Sequence, residues 1–122
     1  MQHRQYRFLM CDFETTVYSG QEFTEVWAAA SVEFGSEEVD IKGSMEEFLL
    51  QLKSYQAHLI CYFHNLKFDG NFILDYLLRH EWRYNRVPEG KMKNKEFKCA
   101  ISDRGAWYTI VIKMNDHIIE FR

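Results

Sequence analysis

Tyr62-Phe63-His64-Asn65-Leu66-Lys67-Phe68-Asp69-Gly70 stands where a continuous apolar run, His58 to Phe63, gives way to a helical pattern. A short apolar run bounded by a change of pattern reads as a buried strand. Phe72, Ile73, Tyr76 and Leu77 then share one face of a helix expected over about 70–81. A strand that passes into a helix through a corner of imidazole, amide, Lys, carboxylate and aromatic side chains places chemistry at a strand end. One other stretch is as dense in such groups: Cys11-Asp12-Phe13-Glu14-Thr15-Thr16, which closes the segment Tyr6 to Phe13. That segment is apolar on both faces, which predicts a strand buried in the middle of a sheet. The fold turns on whether these two strands are neighbours.

The intervening and following residues allow that arrangement. Glu25 to Phe34 reads as a second strand, Gly35-Ser36 as a tight turn, and Glu37 to Lys42 as a third strand completing a hairpin. Ser44-Met45-Glu46-Glu47 matches a capping box, and Phe48, Leu49, Leu52 and Tyr55 follow at helical spacing, so a helix is expected over about 45–55. The segment Arg83 to Lys98 holds six cations (Arg83, Arg86, Lys91, Lys93, Lys95, Lys98) against two acids, with the only proline, and reads as an exposed loop carrying a solvated charge run. Phe97 to Ser102, Ala106 to Met114 and His117 to Phe121 read as three short strands, joined at Asp103-Arg104-Gly105 and Asn115-Asp116. The order β-β-β-α-β-α-β-β-β predicts an α/β fold with a mixed central sheet and two helices. With the first and fourth strands as central neighbours, Asp12 and Glu14 come beside His64, Asn65 and Asp69, in the strand-end crevice where open α/β sheets hold their sites.

Bulk properties narrow the classes. A chain of 122 residues is one domain with room for one core. Its 47% hydrophobic and 27% charged content is that of a soluble globular protein. No run of about 18 apolar residues exists to span a membrane, and the polar N-terminus lacks a secretory signal. Three cysteines, Cys11, Cys61 and Cys99, fit neither a disulfide framework nor a Cys-x-x-Cys knuckle; Cys11 and Cys61 read as small buried hydrophobes in a reducing compartment. A net charge of −3 argues against a protein that coats DNA non-specifically, but leaves room for an enzyme with local nucleic-acid contacts.

Asp12 and Glu14 are two apart on a strand, so their carboxylates point to one face and can converge. Such a pair repels itself and takes up protons unless a cation lies between. Oxygen-only ligands select hard ions such as Mg²⁺ or Mn²⁺ over zinc. With a third acid, two such ions can activate water and stabilise the leaving oxygen of a phosphodiester. Each residue also has a plain structural role open to it. Asp69 can cap the helix that follows, Asn65 can turn the chain, His64 and Phe68 can be packing residues, and Thr15 and Thr16 can end the strand.

Asp12-Phe13-Glu14-Thr15-Thr16 followed by Tyr62-Phe63-His64-Asn65-Leu66-Lys67-Phe68-Asp69-Gly70 closely resembles the first two exonuclease motifs of protein-primed, family B bacteriophage DNA polymerases. Gly105-Ala106-Trp107-Tyr108 is similar to the hairpin that follows there. The resemblance covers nearly the whole chain but only the N-terminal part of that family's 3′–5′ exonuclease domain. It implies a ribonuclease-H-like fold that proofreads a DNA 3′ end by two-metal hydrolysis. Carried over residue by residue, Asp12, Glu14 and Asp69 are catalytic metal ligands for Mg²⁺ or Mn²⁺, and Thr15, His64, Asn65 and Phe68 hold the single-stranded 3′ terminus. The intact polymerase is expected to work with a terminal protein primer in the cytoplasm of a bacterial host. The family's third motif, Tyr-x-x-x-Asp, supplies a water-orienting tyrosine and a fourth carboxylate, and no tyrosine here has Asp four residues on. The chain is therefore expected to be a C-terminally incomplete domain with impaired activity and, with one sheet face bare, a tendency to self-associate. Two other readings accommodate the same residues: a non-catalytic ribonuclease-H-like DNA-binding module, and a stand-alone minimal metal-dependent nuclease.

Overall fold

Residues 5–15, 25–101 and 108–122 are described by a computed structural model. They form one mixed sheet of eight strands with two helices. In chain order these are β1 (Tyr6–Thr15), β2 (Val26–Glu33), β3 (Val39–Lys42), α1 (Met45–Ser54), β4 (His58–Phe63), α2 (Leu66–Arg79), β5 (Arg83–Tyr84), β6 (Glu96–Ile101), β7 (Tyr108–Met114) and β8 (His117–Phe121). The spatial order is β3-β2-β1-β4-β8-β7-β6-β5. The expected neighbours meet: β1 runs parallel to β4 from Tyr6↔His58 to Cys11↔Phe63. β4 in turn runs parallel to β8, while β1–β2, β2–β3, β6–β7 and β7–β8 are antiparallel. Of the expected turns, Asn115-Asp116 joins β7 to β8; Asp103-Arg104-Gly105, Thr16 and Gly105-Ala106-Trp107 lie outside the described residues.

Strand alternation sorts β1 into two faces. Leu9, Cys11 and Phe13 are buried against α1 and α2, whereas Phe8, Met10, Asp12 and Glu14 are exposed on the opposite face. The expectation that β1 is buried on both faces is thus corrected. The strand is central within the sheet, but the described helices pack their apolar sides on one face only. Phe13 anchors this arrangement: its ring meets Phe48 of α1 at 5.2 Å and Phe63 of β4 at 4.8 Å, both edge-on. Such aromatic pairs contribute about 0.5–1.5 kcal/mol each beyond area burial, which ties together the ends of β1 and β4. Ile73 and Leu77 of α2 and Phe48, Leu49 and Leu52 of α1 complete the core with Ile110, Ile112, Ile119 and Phe121.

α1 begins at the capping box. The Glu47 N–H donates to Ser44 Oγ at 3.1 Å, and Glu47 Oε2 accepts from the Gly43 N–H at 2.8 Å. α2 starts four residues before the expected position. The Asn65 carbonyl already accepts from the N–H groups of Phe68 (3.1 Å) and Asp69 (2.9 Å), so the first turn forms inside the motif itself. Apolar periodicity missed this turn because Lys67, Phe68 and Asn71 on it face outward.

The largest departure is the segment Arg83 to Lys98. It is not simply an exposed loop: it contributes β5, a 3₁₀ turn at Glu89–Lys91 and the start of β6. Met92 is buried and, with the half-buried Val87, packs on Val111 and Ile118, covering part of the face that the helices leave open. The Glu96 carboxylate accepts from the Lys93 N–H at 2.7 Å and from Asn85 Nδ2 at 3.0 Å, bonds that hold its carboxyl below the usual range. The apolar residues interleaved with the charges have a sheet surface to cover; the cations Arg83, Arg86, Lys91, Lys93 and Lys95 remain exposed, as a solvated run should. Cys11 and Cys61 are buried free thiols. Among the described residues no helix is long and apolar enough to cross a membrane.

Candidate active site

The β1–β4 pairing ends at Cys11↔Phe63, so Asp12 is the first residue of β1 beyond the end of β4 and stands at the level of the His64-Asn65 corner. Phe13 turns its ring into the core, which directs its neighbours Asp12 and Glu14 together onto the open face. The register with β2 shifts between Glu14 and Thr15, and the half-buried Thr15 pairs with Val26 beyond that irregularity.

Asp69 lies in the first turn of α2 and is only 5% exposed. It is not the helix cap; Asn65 takes that position, without a side-chain capping bond. Burial first, and then the negative charges of Asp12 and Glu14, together push the Asp69 carboxyl up from 3.8 to about 6. The three predicted carboxylates thus share one electrostatic neighbourhood although they come from a strand and a helix. None of the ion pairs among the described residues involves them. An oxygen-only, uncompensated donor set of this kind suits a hard divalent cation. Among the described residues, however, no three His, Cys, Asp or Glu side chains stand close enough to form a ready-made cage.

His64, Asn65 and Phe68 are exposed around this corner. Phe68 is 50% exposed and holds Phe72 edge-on at 5.3 Å, which leaves a ring face toward solvent. A shallow, mostly apolar groove of about 300 Å³ runs along the open face, lined by Met10, Asp12, Ala30, Val32, Val39 and His64. It puts residues of both motifs on one rim.

One residue without an assigned role packs against the same turn. Tyr108, at the start of β7, donates its hydroxyl to the Leu66 carbonyl at 2.5 Å. Its ring lies over Gly70, where an added Cβ would collide with the hydroxyl oxygen and come within 3.1 Å of the ring. Nothing in the local pattern of Tyr108 announces this contact; the motif glycine was the available sign that something approaches the helix closely.

An α/β sheet with carboxylates at the end of one central strand and in the first turn of the helix that follows its parallel neighbour places the chain among proteins with a strand-end site. No protein-family model matches it. Over about nine-tenths of its own length the chain is related to phage DNA polymerases of the phi29 type. It is 37% identical over 109 residues to the DNA polymerase of Bacillus phage Nf, covering 87% of this chain and 17% of that polymerase. It is 36% identical over 115 residues to the DNA polymerase of Bacillus phage phi29, covering 92% of this chain and 18% of that one. The solved structure of phi29 DNA polymerase complexed with single-stranded DNA matches with a TM-score of 0.71 and 29% identity, over 96% of this chain and 20% of that chain. The chain therefore spans less than a fifth of the curated relatives' length.

Proposed function

We propose that the chain is the N-terminal part of the 3′–5′ exonuclease domain of a protein-primed phage DNA polymerase. In this reading it has a ribonuclease-H-like fold and removes deoxynucleotides from single-stranded 3′ ends. The observation that carries the reading is the buried Asp69 carboxyl, pushed up to about 6 by burial and by Asp12 and Glu14, with no cation paired to any of the three in the described ion pairs. Asp12, Glu14 and Asp69 hold Mg²⁺ or Mn²⁺. Two such ions, when bound, supply the positive charge that favours water deprotonation and departure of the 3′ oxygen. Thr15 and Asn65 offer neutral hydrogen bonds to the terminal nucleotides, Phe68 offers a stacking face, and His64 lines the groove beside Asp12; these groups do not repel phosphate. The parent polymerase takes a terminal protein primer and acts in the cytoplasm of its bacterial host. These 122 residues contain no Tyr-x-x-x-Asp, so the family's fourth carboxylate and water-orienting tyrosine are not among them, and cleavage by this chain is expected to be weak or absent.

The test pairs Mn²⁺ binding, followed by electron paramagnetic resonance, with digestion of a 5′-labelled single-stranded oligonucleotide. Mn²⁺ binding that is lost in Asp12→Ala supports the reading, whether or not slow trimming from the 3′ end accompanies it. The lack of a preformed three-ligand group among the described residues favours one rival, a non-catalytic DNA-binding module. That rival requires salt-sensitive DNA binding that survives metal removal, and Mn²⁺ binding indifferent to Asp12→Ala. Robust digestion abolished by Asp12→Ala would instead establish a complete stand-alone nuclease.

A further inference from the structure

We propose that Tyr108 is a positioning residue for Asp69, clamping the first turn of α2 from β7 so that the carboxylate is presented toward Asp12 and Glu14. This inference rests on the exonuclease reading above. In helical space Leu66 and Gly70 flank Asp69, at three residues before and one after. Tyr108 engages both: its hydroxyl donates to the Leu66 carbonyl at 2.5 Å, and its ring occupies the space that only a side chain without a Cβ leaves at Gly70. Ile110, two residues along β7, closes the same contact, with its Cδ1 at 3.0 Å from where a Cβ of residue 70 would stand.

The clamp has a reason to exist. The N-terminal turn of a helix frays unless its polar groups are held. Asn65, in the capping position, makes no side-chain capping bond, so the usual local anchor is missing. The turn follows β4 after only His64 and Asn65, and His64, Asn65, Lys67 and Phe68 around it are exposed. The hydrogen bond from Tyr108 satisfies none of the free N–H groups of that turn, but by holding the Leu66 carbonyl it fixes the turn from outside, where no side-chain cap does so from within. Tyr108 touches neither water nor phosphate in this scheme; it acts through the backbone of the turn that bears Asp69, as outer partners do when they orient a ligand.

Tyr108→Phe removes the hydroxyl and keeps the ring. In the full 122-residue chain it is expected to weaken Mn²⁺ binding about 10-fold and to speed amide hydrogen exchange selectively at residues 66–70. Ile110→Val serves as the control, because it trims the same contact by one methyl group without touching the hydroxyl; it is expected to preserve both Mn²⁺ affinity and exchange in that turn. The inference is overturned if Tyr108→Phe leaves Mn²⁺ affinity and 66–70 exchange unchanged while Asp12→Ala still abolishes Mn²⁺ binding. It is also overturned if Ile110→Val weakens binding as much as Tyr108→Phe, since the effect would then be general loosening. If Asp12→Ala has no effect on Mn²⁺ binding, the exonuclease reading itself fails and this inference falls with it.

Discussion

Phe13 and the two carboxylates beside it divide the work of β1 between its faces, one holding the core and the other holding charge. The consequence is clearest at Asp69. Its carboxyl titrates near 6 in the folded chain against an ordinary value of 3.8, so the folded state binds this proton more tightly than the unfolded state. Stability from this group is full below about pH 4 and falls as pH rises through about 6, the reverse of a salt-bridged acid. A shift of about two pH units corresponds to at most about 3 kcal/mol, and screening at an open rim reduces this to about 1–2 kcal/mol. Asp69→Asn, which keeps the shape and loses the charge, is expected to be more stable than the natural chain by that amount at pH 7.5 and equal to it near pH 4. Urea unfolding at both pH values decides; a pH-independent difference would remove the electrostatic account. Addition of Mn²⁺ at pH 7.5 should narrow the gap by stabilising the chain that retains Asp69.

At the scale of elements, the two helices are started by different devices. α1 carries its own signal in Ser44 and Glu47, and the structure satisfies it locally. Ser44→Ala is therefore expected to cost about 1 kcal/mol, read as a lower urea midpoint, with Mn²⁺ affinity unchanged because α1 carries none of the candidate ligands. α2 has no such local start and depends on β7. This contrast explains why local pattern locates α1 to within a residue but starts α2 four residues late. A capping box is a nearest-neighbour signal, whereas a tyrosine 42 residues away is invisible to any local pattern. The segment Arg83 to Lys98 differs from its sequence expectation for a related reason: its charge dominates the composition, while Met92 and Phe97 have burial partners only once β7 and β8 are in place.

For the whole molecule, the described residues cover one sheet face fully and the other in part. Phe8 (39% exposed), Met10 (45%), Phe34 (57%), Val39 (58%) and Ile41 (67%) lie on the side of β1, β2 and β3 away from the helices. The natively folded chain is expected to bind a hydrophobic dye such as anilinonaphthalene sulfonate, because contiguous exposed apolar surface of this kind is rare on soluble monomers. Val39→Lys and Ile41→Lys should reduce dye binding while moving the unfolding free energy by no more than about 0.5 kcal/mol, since both side chains are already exposed. Dye fluorescence equal in the natural chain and the variants would show that the face is not accessible. Sedimentation velocity on the same proteins measures whether the face also drives self-association.

The sequence by itself determined the order of every element except β5, the apolar character of the two motif-bearing strands and the common face of Asp12 and Glu14. Each of these follows from short-range periodicity: side chains alternate along a strand, and a buried apolar run must find a partner strand. The resemblance of the two motifs to phage polymerases was likewise legible, since it lies in contiguous residues. Only the tertiary structure decided that β1 has an open face, that Asn65 rather than Asp69 stands at the start of α2, and that Asp69 is buried within reach of both acids. It alone brought Tyr108 onto the turn that carries Asp69. Those features depend on which surfaces are left uncovered and which distant side chains converge. Both are set by packing across the sheet, over separations that no local pattern spans.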